Sequence, residues 1–238
     1  MKNINKILWL INGKIKDFDG FNGVVTDVVE MARSEHATKT YWWSVSKDRT
    51  KFCDLDIYDS EQAALEHIGH WAPHSDEFSK YALNERLLIL GDVPHSIKDA
   101  LSAMNPHYMG YFGGFAKDKP SGADQLSEVI WSFEGRITDK AMFREACDKL
   151  TPITHSEDGS ILYLWCVDEE DYFFVLERYI DNDAAIVHMK NSAEFGKLFF
   201  GSTEVAVFTI YSEISPELSD LVKELNPEMM EAAAGFSR

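Results

Sequence analysis

Cysteine is scarce: Cys53, Cys147 and Cys166 are scattered along 238 residues without a C-x-x-C pair. That spacing excludes a disulfide framework and a structural zinc site, and it fits a reducing compartment. Basic residues are also few, 23 Lys and Arg against 40 Asp and Glu, for a net charge of −17. A chain this acidic repels phosphate backbones and anionic lipid, so nucleic acid and membrane surfaces are excluded as partners. Long apolar runs are missing. The stretch from Met1 to Ile11 is too short for a signal peptide or a membrane span, which makes a cytoplasmic location the default. No G-x-G-x-x-G, P-loop or G-x-S-x-G pattern occurs, so flavin, NAD and nucleotide chemistry lose ground and no cofactor is expected.

What the chain does have is a repeat. Phe52, Leu55, Tyr58, Ala63, Ala64 and His67 return in the same order and spacing as Phe173, Leu176, Tyr179, Ala184, Ala185 and His188. Each copy reads as a strand, a turn rich in Asp, Ser and Asn, and the start of a helix. Gly13-Lys14-Ile15 is answered by Gly135-Arg136-Ile137, Asn105-Pro106 by Asn226-Pro227, and Gly114-Phe115 by Gly235-Phe236. A repeat of this length divides the chain into two copies of ordinary domain size. Residues 1–117 form the first and 128–238 the second, joined by a linker over 118–127 whose Pro, Gly and charge content marks it. Apolar residues, 45% of the chain, suffice for a core in each copy.

Periodicity predicts strands over 7–15, 40–46, 51–58 and 86–93 in the first copy, with helices over 24–33, 60–70, 76–83 and 96–104. Residues 17–23 read as loop, and the segment with Tyr108, Gly110, Tyr111, Phe112, Gly113 and Gly114 reads as a loop packed on the sheet. The second copy gives strands over 129–137, 160–167, 172–179 and 204–214. Its helices fall over 140–150, 183–190 and 193–200, with another opening at Pro216. Each copy is thus a β-α-β-β-α-β unit. Its strands are apolar on both faces: Tyr163 and Trp165 alternate with Leu162, Leu164 and Cys166. Helices cover one face and the other needs a second sheet, which the chain itself carries. The expected fold is α+β, two tandem ferredoxin-like β-α-β-β-α-β repeats forming an intramolecular dimeric α+β barrel.

The second copy resembles the antibiotic biosynthesis monooxygenase (ABM) family. The resemblance lies in the turn Asp158-Gly159, the following strand, the acidic-x-aromatic strand end Glu177-Arg178-Tyr179, the paired-Ala helix with His188, and Ser192 with Phe195. The first copy matches more loosely through Tyr58, Ala63, Ala64, His67 and Phe78. The resemblance implies a dimeric α+β barrel, here fused in one chain. For function it implies a cofactor-independent monooxygenase, or a related isomerase, of a small aromatic or quinone-like molecule. Haem-degrading members carry an Asn, a Trp and a His. Here Asn12 fits the first position, but His67 stands where the Trp would be and Glu134 replaces the Asn in the second copy, which speaks against haem degradation.

His67 and His188, alone among eight histidines in being paired by the repeat, are the candidate catalytic residues. A neutral imidazole on a helix over a sheet can accept a phenolic proton; a half-buried structural His is the plainer alternative. Trp43, Tyr58, Trp71, Trp165 and Tyr179 are candidates to hold a planar substrate, with core packing as the alternative. Asn12 and Glu134, polar positions on apolar strands, are candidate substrate contacts or strand ends in water. His67, His70 and His74 share a helical face, but Pro73 interrupts it and no carboxylate or Cys completes a metal set, so no metal is expected. A small-molecule ligand is the expected partner of a monomeric pseudo-dimer or weak homo-oligomer. A non-catalytic binding or structural module is the competing reading, as is a fusion in which one half alone keeps a working pocket.

Overall fold

The computed structural model describes residues 4, 6–119 and 127–238. Most of the expected linker, residues 120–126, lies outside the described residues. In chain order the first repeat contains β1 (Ile7–Ile15), α1 (Phe18–Arg33), β2 (Thr38–Ser46), β3 (Lys51–Tyr58), α2 (Glu61–Trp71), α3 (Ser75–Tyr81), β4 (Ala82–Leu90), α4 (His95–Leu101) and β5 (His107–Ala116). The second contains β6 (Val129–Ile137), α5 (Lys140–Ser156), β7 (Ser160–Val167), β8 (Tyr172–Tyr179), α6 (Asn182–Gly201), β9 (Thr203–Ile210), α7 (Pro216–Val222) and β10 (Glu228–Ser237). The fold is α+β; the hydrogen-bonded strand order is β4-β1-β3-β2-β10 in one half and β9-β6-β8-β7-β5 in the other.

Two compact units form. The N-terminal unit is Asn5–Tyr108 with Glu231–Arg238, and the C-terminal unit is essentially Met109–Met230. In the N-terminal unit β3 lies between β1 and β2 with antiparallel pairing throughout, and β4 flanks β1. The C-terminal unit repeats the arrangement, with β8 between β6 and β7 and β9 beside β6. The two short helix entries are capped as the Ser and Asp turns require: Ser60 Oγ accepts from the Ala63 amide at 3.2 Å and Asp181 Oδ1 from the Ala184 amide at 2.8 Å. Helices α1, α2 and α3, or α5 and α6, cover one face of each sheet. Between helices and sheet, Phe21 and Val28 of α1 pack with Trp43 and Phe52 of the strands in one unit, and Phe143 of α5 and Phe199 of α6 with Trp165 and Phe173 in the other. Each such side chain contributes roughly 1.5–3 kcal/mol on leaving water. The other face is buried as well, at Leu8, Leu10 and Leu88 and at Leu162, Leu164 and Cys166.

Several expectations need correction. Each repeat carries a fifth strand: the glycine-rich segment read as a loop is β5, and its counterpart is β10. Both are exchanged, so that β5 pairs with β7 of the second repeat, while β10 runs beside β2, the Arg238 amide reaching the Lys39 carbonyl at 2.8 Å. Turn-like composition hid β5, and β10, rich in Met, Glu and Ala, carries no strand signal; the glycine at each crossing answers crowding rather than turning. Gly114 and Gly235 hold φ of +116° and +127°, and a Cβ would sit 1.9 Å from the Tyr163 carbonyl oxygen or 2.1 Å from that of Tyr41. Helix α1 begins at Phe18, not at residue 24, since Phe18 and Phe21 extend the stripe of Val24, Val25 and Val28 despite two glycines. Strand β4 starts directly after α3, at Ala82 rather than residue 86. Helix α5 runs past Pro152 to Ser156, where Thr154 Oγ1 donates to the Leu150 carbonyl at 2.9 Å. The two helical pieces read over 183–200 are one helix, α6.

The glycine requirement is testable. Gly114→Ala and Gly235→Ala should each destabilise the protein by about 1–3 kcal/mol or more in urea titrations, through left-handed backbone strain and the carbonyl clash together. A loss below about 0.5 kcal/mol would mean that the exchanged strands tolerate a side chain at the crossing.

Candidate active site

In each unit a buried acid occupies the central strand, with an indole and a phenol beside it in register. In the C-terminal unit Glu177 of β8 pairs with Trp131 of β6 and Tyr163 of β7. In the N-terminal unit Asp56 of β3 pairs with Trp9 of β1 and Tyr41 of β2. Strand alternation puts all six side chains on the helix-covered face. The indole donates to the acid in both, from Trp131 Nε1 to Glu177 Oε2 at 2.7 Å and from Trp9 Nε1 to Asp56. Tyr179 adds a second donor to Glu177.

The paired histidines descend on these acids from the helices. His188 of α6 places Nδ1 3.2 Å from Glu157 Oε2 and Nε2 3.5 Å from Glu177 Oε2. Glu157, the residue after α5, also accepts from Ser160 Oγ at 2.7 Å and Asn191 Nδ2 at 3.1 Å. His67 of α2 places Nδ1 2.9 Å from Glu35 Oε2; Glu35, in the loop after α1, accepts from Thr38 Oγ1 at 2.7 Å and meets His70 Nδ1 at 2.8 Å. The rings of Tyr179 and Tyr163 flank His188 with centroids 5.1 and 5.6 Å away, and those of Tyr41 and Tyr58 flank His67 at 5.0 and 5.3 Å. One difference between the halves lies at the imidazole: among the described residues His67 Nε2 has no hydrogen-bond partner, whereas His188 Nε2 faces Glu177. Aspartate is one methylene shorter than glutamate, and Asp56 stops short of the imidazole that Glu177 reaches.

Burial dominates the electrostatics. It raises the Glu177 pKa despite the opposing His188 charge and the Tyr179 and Trp131 hydrogen bonds. For His188 burial works against the charged ring, but the Glu157 hydrogen bond and the charges of Glu177 and Glu157 outweigh it and its pKa is raised. Burial also opposes ionisation of Glu157 and Glu35, yet their hydrogen bonds and histidine neighbours hold both below the ordinary glutamate value. Asp56 is pushed up to about 6 by burial, with His67, Trp9 and Tyr58 pulling the other way. Asp54, two residues earlier on the same face, is raised well above its ordinary value by burial and then by the Asp56 charge. The phenols of Tyr41, Tyr58, Tyr163 and Tyr179 are raised far above theirs by burial and adjacent acids, so they remain protonated.

Each constellation opens on a cavity. That of the C-terminal unit, about 470 Å³, is lined by Trp131, Tyr163, Trp165, Glu177 and His188 with apolar neighbours from α6. That of the N-terminal unit, about 310 Å³, is lined by Trp9, Trp43, Asp54, Asp56, His67 and Trp71. Both sizes suit a small organic molecule. Thus His67, Trp43 and Trp71 share one cavity, and His188 and Trp165 the other. Tyr58 and Tyr179 stand behind the histidines rather than on the cavity walls. Asn12 and Glu134 line neither cavity: they alternate onto the opposite face from Trp9, Ile11, Trp131 and Phe133, and Glu134 accepts from the Tyr172 hydroxyl at 2.9 Å. Sequence reasoning missed Glu35, Asp54, Asp56, Glu157 and Glu177 as site residues, although the alternation Phe52, Asp54, Asp56, Tyr58 already put two acids on an aromatic face. Among the described residues no group of three His, Cys, Asp or Glu side chains is placed to hold a metal ion, and no helix is long and apolar enough to cross a membrane.

No protein-family model and no curated protein matches the chain. Solved structures do. One from Fusobacterium nucleatum subsp. nucleatum ATCC 25586, named a putative monooxygenase, superposes with a TM-score of 0.66 over 99% of this chain and 96% of its own, at 12% identity. Another of the same name, from Lactobacillus acidophilus NCFM, gives 0.60 over 98% and 99%, at 11% identity. The fold is the one shared by these two structures. The likeness at such identity is one of fold, and it extends over both repeats rather than one.

Removing the central cation should unsettle the C-terminal unit. His188→Ala leaves Glu157 and Glu177 buried without their counter-charge and should cost about 3–5 kcal/mol. Because the folded pKa of His188 is raised, its contribution is complete below the ordinary value of 6.5 and is lost as pH rises through the raised one. The gap in urea midpoint between wild type and His188→Ala should therefore narrow from pH 6 to pH 9, and a gap that widens contradicts this account.

Proposed function

We propose that the chain is a cofactor-independent monooxygenase, or a related isomerase, of a small aromatic or quinone-like molecule, and that the N-terminal cavity is where it reacts. The observation that carries this reading is the unpartnered Nε2 of His67, only 1% exposed and lining a cavity walled by Trp9, Trp43 and Trp71. With Nδ1–H donated to Glu35, the tautomer leaves a lone pair on the Nε2 of a residue that lines the ligand space. A phenolic O–H, or a C–H beside a ring carbonyl, placed there loses its proton to Nε2, and the Glu35 carboxylate stabilises the imidazolium that forms. Indole faces hold the planar ring.

The electrons then come from the substrate. A deprotonated ring CH2 gives its electrons to dioxygen; one oxygen atom stays on the carbon as a ketone and the other leaves as water with the two hydrogens lost. In the isomerase version the proton returns to a different ring carbon and oxygen takes no part. The non-catalytic alternative fits the C-terminal cavity, where Glu177 already engages His188 Nε2. Under this reading the fused halves are a reacting site and a binding pocket, in a protein that works on a small molecule as a monomer.

Oxygen uptake with a panel of quinols and ring ketones tests the proposal. His67→Ala should lower kcat about 100-fold or more. Asp56→Glu, which supplies the longer acid found at Glu177, should also suppress turnover by capping Nε2. Uptake that survives His67→Ala unchanged would remove the imidazole from the reaction.

A further inference from the structure

The two cavities differ most at the position beside the histidine-facing acid. On β3 this is Asp54, in register between Ile11 and Trp43; on β8 it is Val175, in register between Phe133 and Trp165. A carboxyl group thus stands where the other unit keeps an aliphatic side chain, and both residues line their cavities. Asp54 is 1% exposed, and among the described residues its oxygens meet no N–H or hydroxyl donor, only the carboxyl of neighbouring Asp56. Asp56 is equally buried and its Oδ1 likewise meets no such donor among them. A buried polar group left without a partner costs roughly 1–3 kcal/mol, so a fold keeps one where something else completes it.

We infer that Asp54 is the specificity-determining residue of the N-terminal cavity, selecting an aromatic ligand by an oxygen substituent that hydrogen-bonds to its carboxyl group. Two adjacent carboxyls under a helix cannot both be charged, so at least one carries a proton, and the raised Asp54 pKa is in keeping with this. A neutral carboxyl both donates and accepts, which matches a ring hydroxyl or ketone and rejects the bare hydrocarbon. The C-terminal cavity, with Val175 in that place and Phe133 stacked on Phe208 at 4.2 Å between ring centroids, offers only apolar surface there. This inference rests on the proposed function only in taking the N-terminal cavity as the one that receives substrate, and ligand selection is measured without turnover.

Equilibrium dialysis of the full-length protein against 1-naphthol and against naphthalene is the experiment. Wild type should bind the naphthol about tenfold or more tighter than the hydrocarbon. Asp54→Val, close in volume and already used by the second repeat, should bring that ratio to about two or less while the number of naphthalene molecules bound per chain stays that of wild type, which reports the cavities intact. Asp54→Asn, which keeps a donor and an acceptor, should retain most of the ratio. A wild-type ratio near one, no binding of either compound, or an Asp54→Val ratio equal to that of wild type would each overturn the assignment. His67→Ala separates the two readings. If it abolishes oxygen uptake but keeps the Asp54-dependent ratio, both stand; if no substrate is ever oxidised while the ratio follows Asp54, the monooxygenase reading alone falls. Loss of the ratio in His67→Ala with its retention in Asp54→Val assigns selection to the imidazole and defeats this inference.

Discussion

A carboxylate placed under a helix, away from water, must be met by donors and a counter-charge or else be protonated. Both units are built around that demand. The acid sits on the central strand of three, and the register delivers an indole on one side and a phenol on the other. The helix above delivers the imidazole, and the loop after the preceding helix delivers a second acid to hold it. Aromatic residues serve twice here, as bulk that excludes water and as the N–H and O–H groups that make an excluded acid tolerable. The result is a polar chain threaded through an apolar layer, in which moving any one member changes the ionisation of the rest.

Within that shared plan the central acids differ by one methylene. Glu177 is long enough to approach Nε2 of His188, and the imidazole then has acids at both nitrogens. Acids at both nitrogens favour the charged ring, which has no lone pair to offer. Asp56 leaves Nε2 of His67 unmet, while Glu35 still fixes the other nitrogen. The first arrangement spends its histidine on stability. The second leaves a buried nitrogen unsatisfied, among the described residues, on a histidine that lines a cavity, which is the kind of local defect that functional sites retain.

Much of the architecture was legible because it rests on period-2 and period-3.6 patterns and on the repeat. The strands 129–137, 160–167 and 172–179 needed no correction, and the pairing of His67 with His188 came from spacing alone. What escaped was what depends on partners far along the chain. Of the fifth strands, β5 has the glycine content of a loop and β10 is rich in Met, Glu and Ala without strand alternation, and the crowded crossing explains Gly114 and Gly235. Glu35 and Glu157 lie in loops without periodicity, so nothing local aims them at a histidine more than thirty residues away. Asn12 and Glu134 drew notice as polar residues on apolar strands, but parity turns them away from both cavities. Asp54 and Asp56 were readable in principle, since alternation with Phe52 and Tyr58 already set them on the helix face.

Fusion is what permits the halves to differ. In a homodimer of single-repeat chains a twofold operator copies every substitution into both sites, so an acid introduced beside one histidine is introduced beside the other. Two repeats in one chain escape that constraint. One cavity can keep Val175 and a fully engaged His188, contributing packing and a stable half, while the other takes Asp54, shortens its central acid to Asp56 and leaves His67 half satisfied. Buried acids and an unpartnered imidazole weaken the unit that holds them, and a stability margin of a few kcal/mol is easily exhausted if the cost is incurred twice. Asymmetry therefore follows from the energetics of burying charge: a duplicated fold bears one strained polar site more readily than two.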